Sequence, residues 1–265
     1  MLLAIDIGNT NINLGVFDGP LLKSTWRIAA DQHRLTDEYG LQIVGMLPLK
    51  GVDPKEITDA CLCSVAPTLT STFEEMCATY FKVDPLTVTA GVKTGVRILY
   101  DAPRDVGADR IVDAVAALRL YGGPVIIVDF GTGTVFDAVS RDSEYLGGAI
   151  APGINVAADA LFLSTSQLRR VDLTPPKSAI GRNTIAALQS GLVWGYVGLV
   201  EGMVARFKEE VGSDAKVVAT GGLAEVIARE TSVFDTVNPD LTLVGLRLIH
   251  EMNVETATNP PAGDN

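Results

Sequence analysis

Apolar and polar positions along the chain fall into a pattern that occurs twice. Residues 2–5 form an apolar run, as expected of a buried strand, and Asp6 ends it with a carboxylate. Gly8, Asn9 and Thr10 follow at once, all turn formers; then Ile12, Leu14 and Val16 alternate with Asn13, Gly15 and Phe17. The pattern predicts a tight β-hairpin whose tip carries an acid among small polar groups. Such a tip can hold a phosphate against backbone N–H groups while the acid handles its metal ion, or it can be an ordinary turn. Residues 21–29 extend the sheet. Tyr39, Ile43 and Met46 predict a helix over 36–46. Residues 57–65 are a further apolar run in which Cys61 and Cys63 alternate with Leu62, which assigns both thiols to the core rather than to a redox pair. Phe73, Met76, Cys77 and Tyr80 share one face of a helix predicted over 68–81, and residues 85–90 read as a short strand.

The stretch 100–111 contains Tyr100, Asp105, Gly107, Ala108, Asp109 and Arg110, and leads into an amphipathic helix that Gly122-Gly123-Pro124 stops. Asp105 is placed to cap that helix, which puts Asp109 in its first turn. There the helix dipole favours an ionised carboxylate, the state a general base needs. Arg110 is rotated about a third of a turn away, so the two heads can address different parts of one ligand. Taken alone, Asp105, Asp109 and Asp113, spaced four apart, read more simply as a solvated acidic face. The opening pattern then returns. Residues 124–139 repeat strand, acid, one residue, Gly, polar tip, strand, with Asp129 matching Asp6 and Gly131 matching Gly8. An internal duplication of this kind is far more specific than either hairpin alone. Two such loops facing across a cleft would grip a polyphosphate from both sides.

Beyond the repeat, Gly147-Gly-Ala-Ile-Ala-Pro152-Gly153 is a glycine-rich loop suited to close ligand approach or to a turn. Residues 159–168 are predicted helical. A long helix is predicted from 180 to 211, with Thr184 at its start as a cap or a ligand contact. Gly191, Gly195, Gly198 and Gly202 fall on one face of it. Each costs roughly 1 kcal/mol against Ala, so close backbone packing is expected, within the core or against a second subunit. Residues 216–224 read as a buried strand entering a Gly221-Gly222 turn, a fair place for a base or ribose. A helix over 241–253 closes the chain, able to pack back on the first half. Domains are expected at 1–112 and 113–253, and 254–265 as a polar, disordered tail.

Composition narrows the function. The chain has 265 residues, 47% hydrophobic, with a formal net charge of -11, which argues against nucleic acid or an anionic membrane as the main partner. Anionic ligands therefore need local help from metal ions, amides or a few Arg residues. Three cysteines form no Cys-x-x-Cys pair or disulfide framework, which suggests a reducing cytoplasm. With only His33 and His250 present, zinc chemistry and a Ser–His triad lack support. No signal peptide and no membrane span are read.

Taken in order, the two Asp-x-Gly hairpins and the Thr220-Gly221-Gly222 turn resemble the duplicated ATPase fold of actin, sugar kinases and acetate kinase. The closer resemblance is to the type III pantothenate kinase family. It is carried by Asp6-x-Gly8-Asn9-Thr10-Asn11, Gly107-x-Asp109-Arg110, Asp129-x-Gly131-Thr132, the 147–153 loop, Gly181 with Asn183-Thr184, and Thr220-Gly221-Gly222. The resemblance implies an α/β fold of two duplicated ribonuclease H-like domains with mixed sheets flanked by helices and ATP in the cleft between them. It implies transfer of the ATP γ-phosphate to the terminal hydroxyl of pantothenate, the entry step of coenzyme A synthesis, by a homodimer. By the same resemblance, Asp6, Ile7, Gly8, Asn9, Thr10, Asn11, Ile12 and Asn13 would hold the ATP phosphates, with Asp6 near Mg²⁺. Thr132 would also contact ATP. Asp129 would bind a monovalent cation, K⁺ or NH₄⁺. Asp109 would be the base on the attacking hydroxyl, and Tyr100, Gly107, Ala108, Asp109, Arg110 and Thr184 would surround pantothenate. Two departures stand out: Gly133 and Val135 occupy places where many relatives carry Ala and Thr, and the 100–103 stretch is looser than the common form.

Two other functions fit a chain of this fold. A phosphoanhydride hydrolase would need an acid placed to activate water and no organic acceptor pocket. A non-enzymatic regulator would be expected to lack Asp6 or Asp109, and both are present.

Overall fold

A computed structural model describes residues 1–164, 168 and 170–258. Two compact units divide the chain: residues 1–95, 102–116 and the segment from 242 onward form the first, and residues 96–101 and 117–241 the second.

The first unit is built on a sheet of β1 (Leu2–Ile7), β2 (Asn11–Asp18), β3 (Leu21–Ala29), β4 (Asp59–Ser64) and β5 (Leu86–Thr87), in the order β3-β2-β1-β4-β5. β1–β2 and β2–β3 are antiparallel, while β1–β4 and β4–β5 are parallel. Alternation along the strands separates the two faces. Leu3, Ile5, Ile7, Ile12, Leu14 and Val16 enter one core with Tyr39 and Ile43 of α1 (Thr36–Met46) and with Leu69 and Phe73 of α2 (Pro67–Met76). Glu38 accepts from the Leu35 backbone N–H at 2.8 Å to start α1, and Pro67 opens α2 at the one helical position where its missing N–H costs nothing. α2 is shorter than its periodicity predicts: residues 77–81 form a π turn, ended by Lys82 in the left-handed region at φ 61°. The other face of the sheet carries Ala4, Asp6, Asn13, Gly15, Cys61 and Cys63. A Cβ on Gly15 would stand 3.0 Å from Leu243, so the glycine lets the C-terminal helix close on this face.

α3 (Ala108–Tyr121) passes from the first unit into the second, buried at Val112 and from Ala114 to Ala117. Asp105 does not cap it. Asp105 ends a short 3₁₀ turn, and α3 begins three residues later with Gly107 O accepting from Ile111 N at 3.4 Å.

The second unit contains β6 (Arg97–Ile98), β7 (Val125–Phe130), β8 (Gly133–Val139), β9 (Glu144–Pro152), α4 (Ile154–Leu163), α5 (Thr184–Val211), β10 (Lys216–Thr220), α6 (Ala224–Ala228) and β11 (Thr236–Val237). Its sheet runs β11-β10-β7-β8-β9-β6. Read from the other edge, β9-β8-β7-β10-β11 repeats β3-β2-β1-β4-β5 strand for strand, with the same parallel and antiparallel pairings, and β6 is added outside it. The chain is thus α/β with two duplicated ribonuclease H-like mixed sheets flanked by helices. Ile126, Val128, Phe130 and Phe136 pack with Val193, Val200 and Val204 of α5 in the second core. α4 starts at Ile154, whose side chain is buried, earlier than the predicted 159; residues 165–167 and 169 lie outside the described residues. α7 (Leu241–Thr258) runs past Val254, where composition predicts the tail to begin, and residues 259–265 lie outside the described residues.

Candidate active site

The first hairpin closes on itself at its tip. Gly8 N donates to Asn11 O at 3.0 Å, and a Cβ on Gly8 would stand 2.9 Å from that same oxygen, so only glycine fits without displacement. Asn9 and Thr10 are left exposed, and Ile7 and Ile12 are buried beneath them in the core. Asp6, half-buried at the end of β1, lies between two donors. Asn13 on β2 donates Nδ2 to Oδ2 at 2.8 Å, and Cys63 on β4 donates its thiol to Oδ1 at 3.6 Å. Burial raises the Asp6 carboxyl from 3.8 to about 6; the Asn13 hydrogen bond opposes the rise, the Asp109 charge adds to it, and Cys63 and Arg27 oppose it.

Asp109 therefore stands within electrostatic reach of Asp6, in the first turn of α3. Its Oδ1 accepts from Arg110 N at 2.8 Å. Burial raises its carboxyl above the usual range, against the Arg110 backbone N–H and guanidinium. Gly107 makes this conformer possible, since a Cβ there would fall 2.5 Å from Asp109 Oδ1. The structure thus brings together Asp6, the hairpin tip and the Gly107–Arg110 turn within the first unit.

The second hairpin has the same backbone and different walls. Asp129, half-buried, pairs in register with Val135 on β8 and Thr220 on β10, where Asp6 pairs with Asn13 and Cys63. Glycines press on its carboxylate. A Cβ on Gly221 (φ 89°) would lie 2.3 Å from Oδ1, and one on Gly131 would lie 3.2 Å from Oδ2. Gly153 in turn closes on the tip: its N–H donates to Thr132 O at 3.0 Å, and a Cβ would come 2.2 Å from that oxygen. Thr132 is exposed there. The other residues expected around the acceptor lie in the second unit. Tyr100 rests against Gly147 (φ 116°), 3.4 Å from where a Cβ would be, with its ring centroid 6.4 Å from that of Tyr145. Thr184 is exposed as the first residue of α5 and is not its cap: Asn183 Oδ1 accepts from Ala186 N at 2.9 Å.

The residues present fit the ions that the family resemblance implies. Among the described residues no group of three or more His, Cys, Asp or Glu could hold a metal alone. A single hard carboxylate such as Asp6 suits Mg²⁺ that arrives with a nucleotide and keeps most of its water. At Asp129 the Gly131 and Gly221 backbones approach the carboxylate as no larger residue could, and a carboxylate beside backbone groups is the hard oxygen chemistry that a monovalent cation takes. Sequence reasoning missed Cys63 and Gly221 as neighbours of the two acids. For Cys63 the signal was strand parity, since it sits on the parallel strand in register with Asp6; Gly221 follows directly on Thr220, the residue in register with Asp129 at the end of β10.

Comparison with known proteins bears on the same residues. The sequence profile of the type III pantothenate kinase family matches residues 2–206. A type III pantothenate kinase from Roseiflexus sp. strain RS-1 is 53% identical over 253 residues, covering 96% of this chain and 99% of that protein. Among solved structures, a Campylobacter jejuni protein provisionally described as a Baf family transcriptional activator aligns with a TM-score of 0.62 at 18% identity, covering 96% of this chain and 99% of the other. A Sinorhizobium meliloti protein provisionally described as a 2-dehydro-3-deoxygalactonokinase aligns with a TM-score of 0.53 at 13% identity, covering 100% and 99%. At those identities the likeness is one of fold alone.

Proposed function

The chain belongs to the type III pantothenate kinase family and is an ATP-dependent pantothenate kinase, and we propose that its two hairpins and the turn before α3 divide the reaction among them. The first hairpin, Asp6 to Asn13, receives the phosphates of ATP on its exposed tip, with Asp6 on the Mg²⁺ side. Thr132 of the second hairpin contacts the nucleotide as well, and Asp129 holds the monovalent cation. Mg²⁺ bound with ATP supplies neutralisation of the phosphate charge. Phosphoryl transfer asks for positioning and charge compensation more than for covalent chemistry, so the protein's own part is to aim the acceptor. Asp109 accepts the proton of the terminal hydroxyl of pantothenate as its oxygen bonds to the γ-phosphorus and the bond to the β-phosphate oxygen breaks. Arg110 meets the pantothenate carboxylate, as a guanidinium can in an otherwise acidic protein, and Tyr100, Gly107, Ala108 and Thr184 complete the acceptor site.

The observation that carries this reading is the pairing of Asp6 and Asp109 in one unit, one at the phosphate hairpin and one at a helix start. A coupled assay with and without pantothenate, with K⁺ exchanged for Na⁺, on the native protein and Asp109→Asn tests it. A pantothenate-dependent rate that survives Asp109→Asn would remove the base assignment. Two further features support the rest of the proposal. Among the described residues nothing lies within 4 Å of a Cβ built at Gly191, Gly195 or Gly198 on α5, which favours a second copy of the chain packing there as a homodimer. Cys61, Cys63 and Cys77 are free thiols, all buried, in keeping with a cytoplasmic enzyme. No described helix is long and apolar enough to cross a membrane.

A further inference from the structure

We propose that Cys63 is a positioning residue of the phosphate site, its thiol acting with the Asn13 amide to hold the Asp6 carboxylate in one orientation. The inference rests on the reading of Asp6 as the acid on the Mg²⁺–phosphate side. In the sheet, Asn13 and Cys63 are the residues directly beside Asp6, one on each neighbouring strand. Residues paired in this way project from one face of the sheet. Nδ2 of Asn13 lies 2.8 Å from Oδ2, and Sγ of Cys63 lies 3.6 Å from Oδ1. A carboxylate held by one donor still swings about its Cβ–Cγ bond. Donors on both oxygens, arriving from opposite sides, fix its plane.

The thiol is a weak donor, and at 3.6 Å from Oδ1 it reaches the carboxylate from the strand opposite the one that carries Asn13. The duplication puts a comparable residue at the same place: Thr220, buried at the end of β10 after Val217, Val218 and Ala219, stands beside Asp129 at the register where Cys63 stands beside Asp6. A small side chain with a hydrogen to donate thus occupies this place in both sheets. Filling a strand interior does not call for one.

The test separates donation from packing. Binding of Mg·AMP-PNP, measured by calorimetry without turnover, is compared with KM for ATP, KM for pantothenate and kcat in the native protein, Cys63→Ala, Cys63→Ser, Asp6→Asn and the Asp6→Asn/Cys63→Ala double variant. Cys63→Ala is expected to weaken Mg·AMP-PNP by roughly three- to tenfold, the effect of one modest hydrogen bond, and to lower kcat/KM for ATP alike while KM for pantothenate holds. Cys63→Ser, which restores a donor, recovers most of both losses, and Cys63→Ala adds nothing once Asp6 is Asn. Equal losses in the Ala and Ser variants, or native behaviour of Cys63→Ala beside an impaired Asp6→Asn, would overturn the proposal and leave Asp6 its role. Native nucleotide binding by Asp6→Asn would overturn the reading of Asp6 itself, and this inference with it. If Cys63→Ala does not fold, Cys63→Ser against Cys63→Val makes the same contrast between a donor and none.

Discussion

Asp6 and Asp129 occupy the same register in duplicated sheets, each beside one antiparallel and one parallel strand, yet their surroundings have diverged. Asp6 meets Asn13 and Cys63 and has Asp109 in electrostatic reach. Asp129 meets Val135 where the other has Asn13, and two glycine backbones close on its oxygens. Duplication kept the backbone that delivers an acid to a strand end. The two facing positions and the turn glycines then changed what the acid can do. A carboxylate bonded on both oxygens is aimed at one partner. One approached by glycine backbone is reached from the main chain and not from a facing side chain. The proposed split between a Mg²⁺–phosphate side and a monovalent-cation side follows from that difference.

The largest effect is expected at Asp109, the acid in the first turn of α3. Asp109→Asn should lower kcat by about 10²- to 10⁴-fold, the usual worth of a general base, while Kd for Mg·AMP-PNP changes little. Single-turnover assays beside calorimetry would check it. A comparable loss of nucleotide binding would place Asp109 with the phosphates instead, and the first region would then hold two phosphate acids and no base.

Asp6 itself should show a cost in stability that its role requires. Its folded carboxyl is raised from 3.8 to about 6. The folded state therefore holds a proton that the unfolded chain gives up across this window. The associated stability is fully present below about 3.8 and is lost as pH rises through about 6, a difference of order 3 kcal/mol. Asp6→Asn removes the charge, so its melting temperature should exceed that of the native ligand-free protein at pH 8 and converge with it near pH 4. Calorimetric melting at both pH values decides the matter, and an equal gap at both would mean the carboxylate is not strained by burial. Activity should move the opposite way, because stability is commonly given up at a functional acid.

Much of this was legible in the order of residues, and for identifiable reasons. The hairpins were readable because a buried strand, an acid and a glycine tip are all local signals, and their recurrence at Asp129 made them specific. A cap expected at Asp105 places Asp109 in a helix's first turn; the helix does begin beside Asp109, but Asp105 ends a 3₁₀ turn instead of capping it. What lay beyond reach were contacts made across the sheet. Cys63 is 57 positions from Asp6 in sequence and reads as core by alternation, which it also is. Asn13 sits in the motif but turns its amide onto Asp6. β6 and β11, at two residues each, carry too few positions for any period to show, and α5 begins at Thr184 because Asn183, not a residue near 180, supplies the cap.

The glycines that frame Asp129 should be unequal. Gly221 combines φ 89° with a Cβ position 2.3 Å from Asp129 Oδ1 and 2.7 Å from the Phe130 backbone, whereas Gly131 would need only a few tenths of an ångström of give at 3.2 Å. Gly221→Ala should cost about 1–3 kcal/mol of stability through strain and clash and abolish activation by K⁺. Gly131→Ala should cost less than about 1 kcal/mol and weaken activation without removing it. Denaturant melts with K⁺ titrations of activity would show the order, and its reversal would shift the ion site toward the hairpin tip.

The smallest change is the most direct trial of the comparison: Val135→Asn, which copies the facing residue of the first hairpin into the second. Val135 is half-buried opposite Asp129, as Asn13 is opposite Asp6. A strand position of this kind loses β propensity on the change, within a scale of about 1 kcal/mol, and the new amide can donate to Asp129 as Asn13 does to Asp6. Stability should therefore move by less than about 0.5 kcal/mol. That bond would compete with a cation for the carboxylate, so the half-saturating K⁺ concentration should rise by roughly two- to fivefold, the worth of a weak hydrogen bond, with kcat at saturating K⁺ kept. If K⁺ activation is untouched, the side chain facing the acid is not what tells the two hairpins apart, and the glycine walls carry the difference alone.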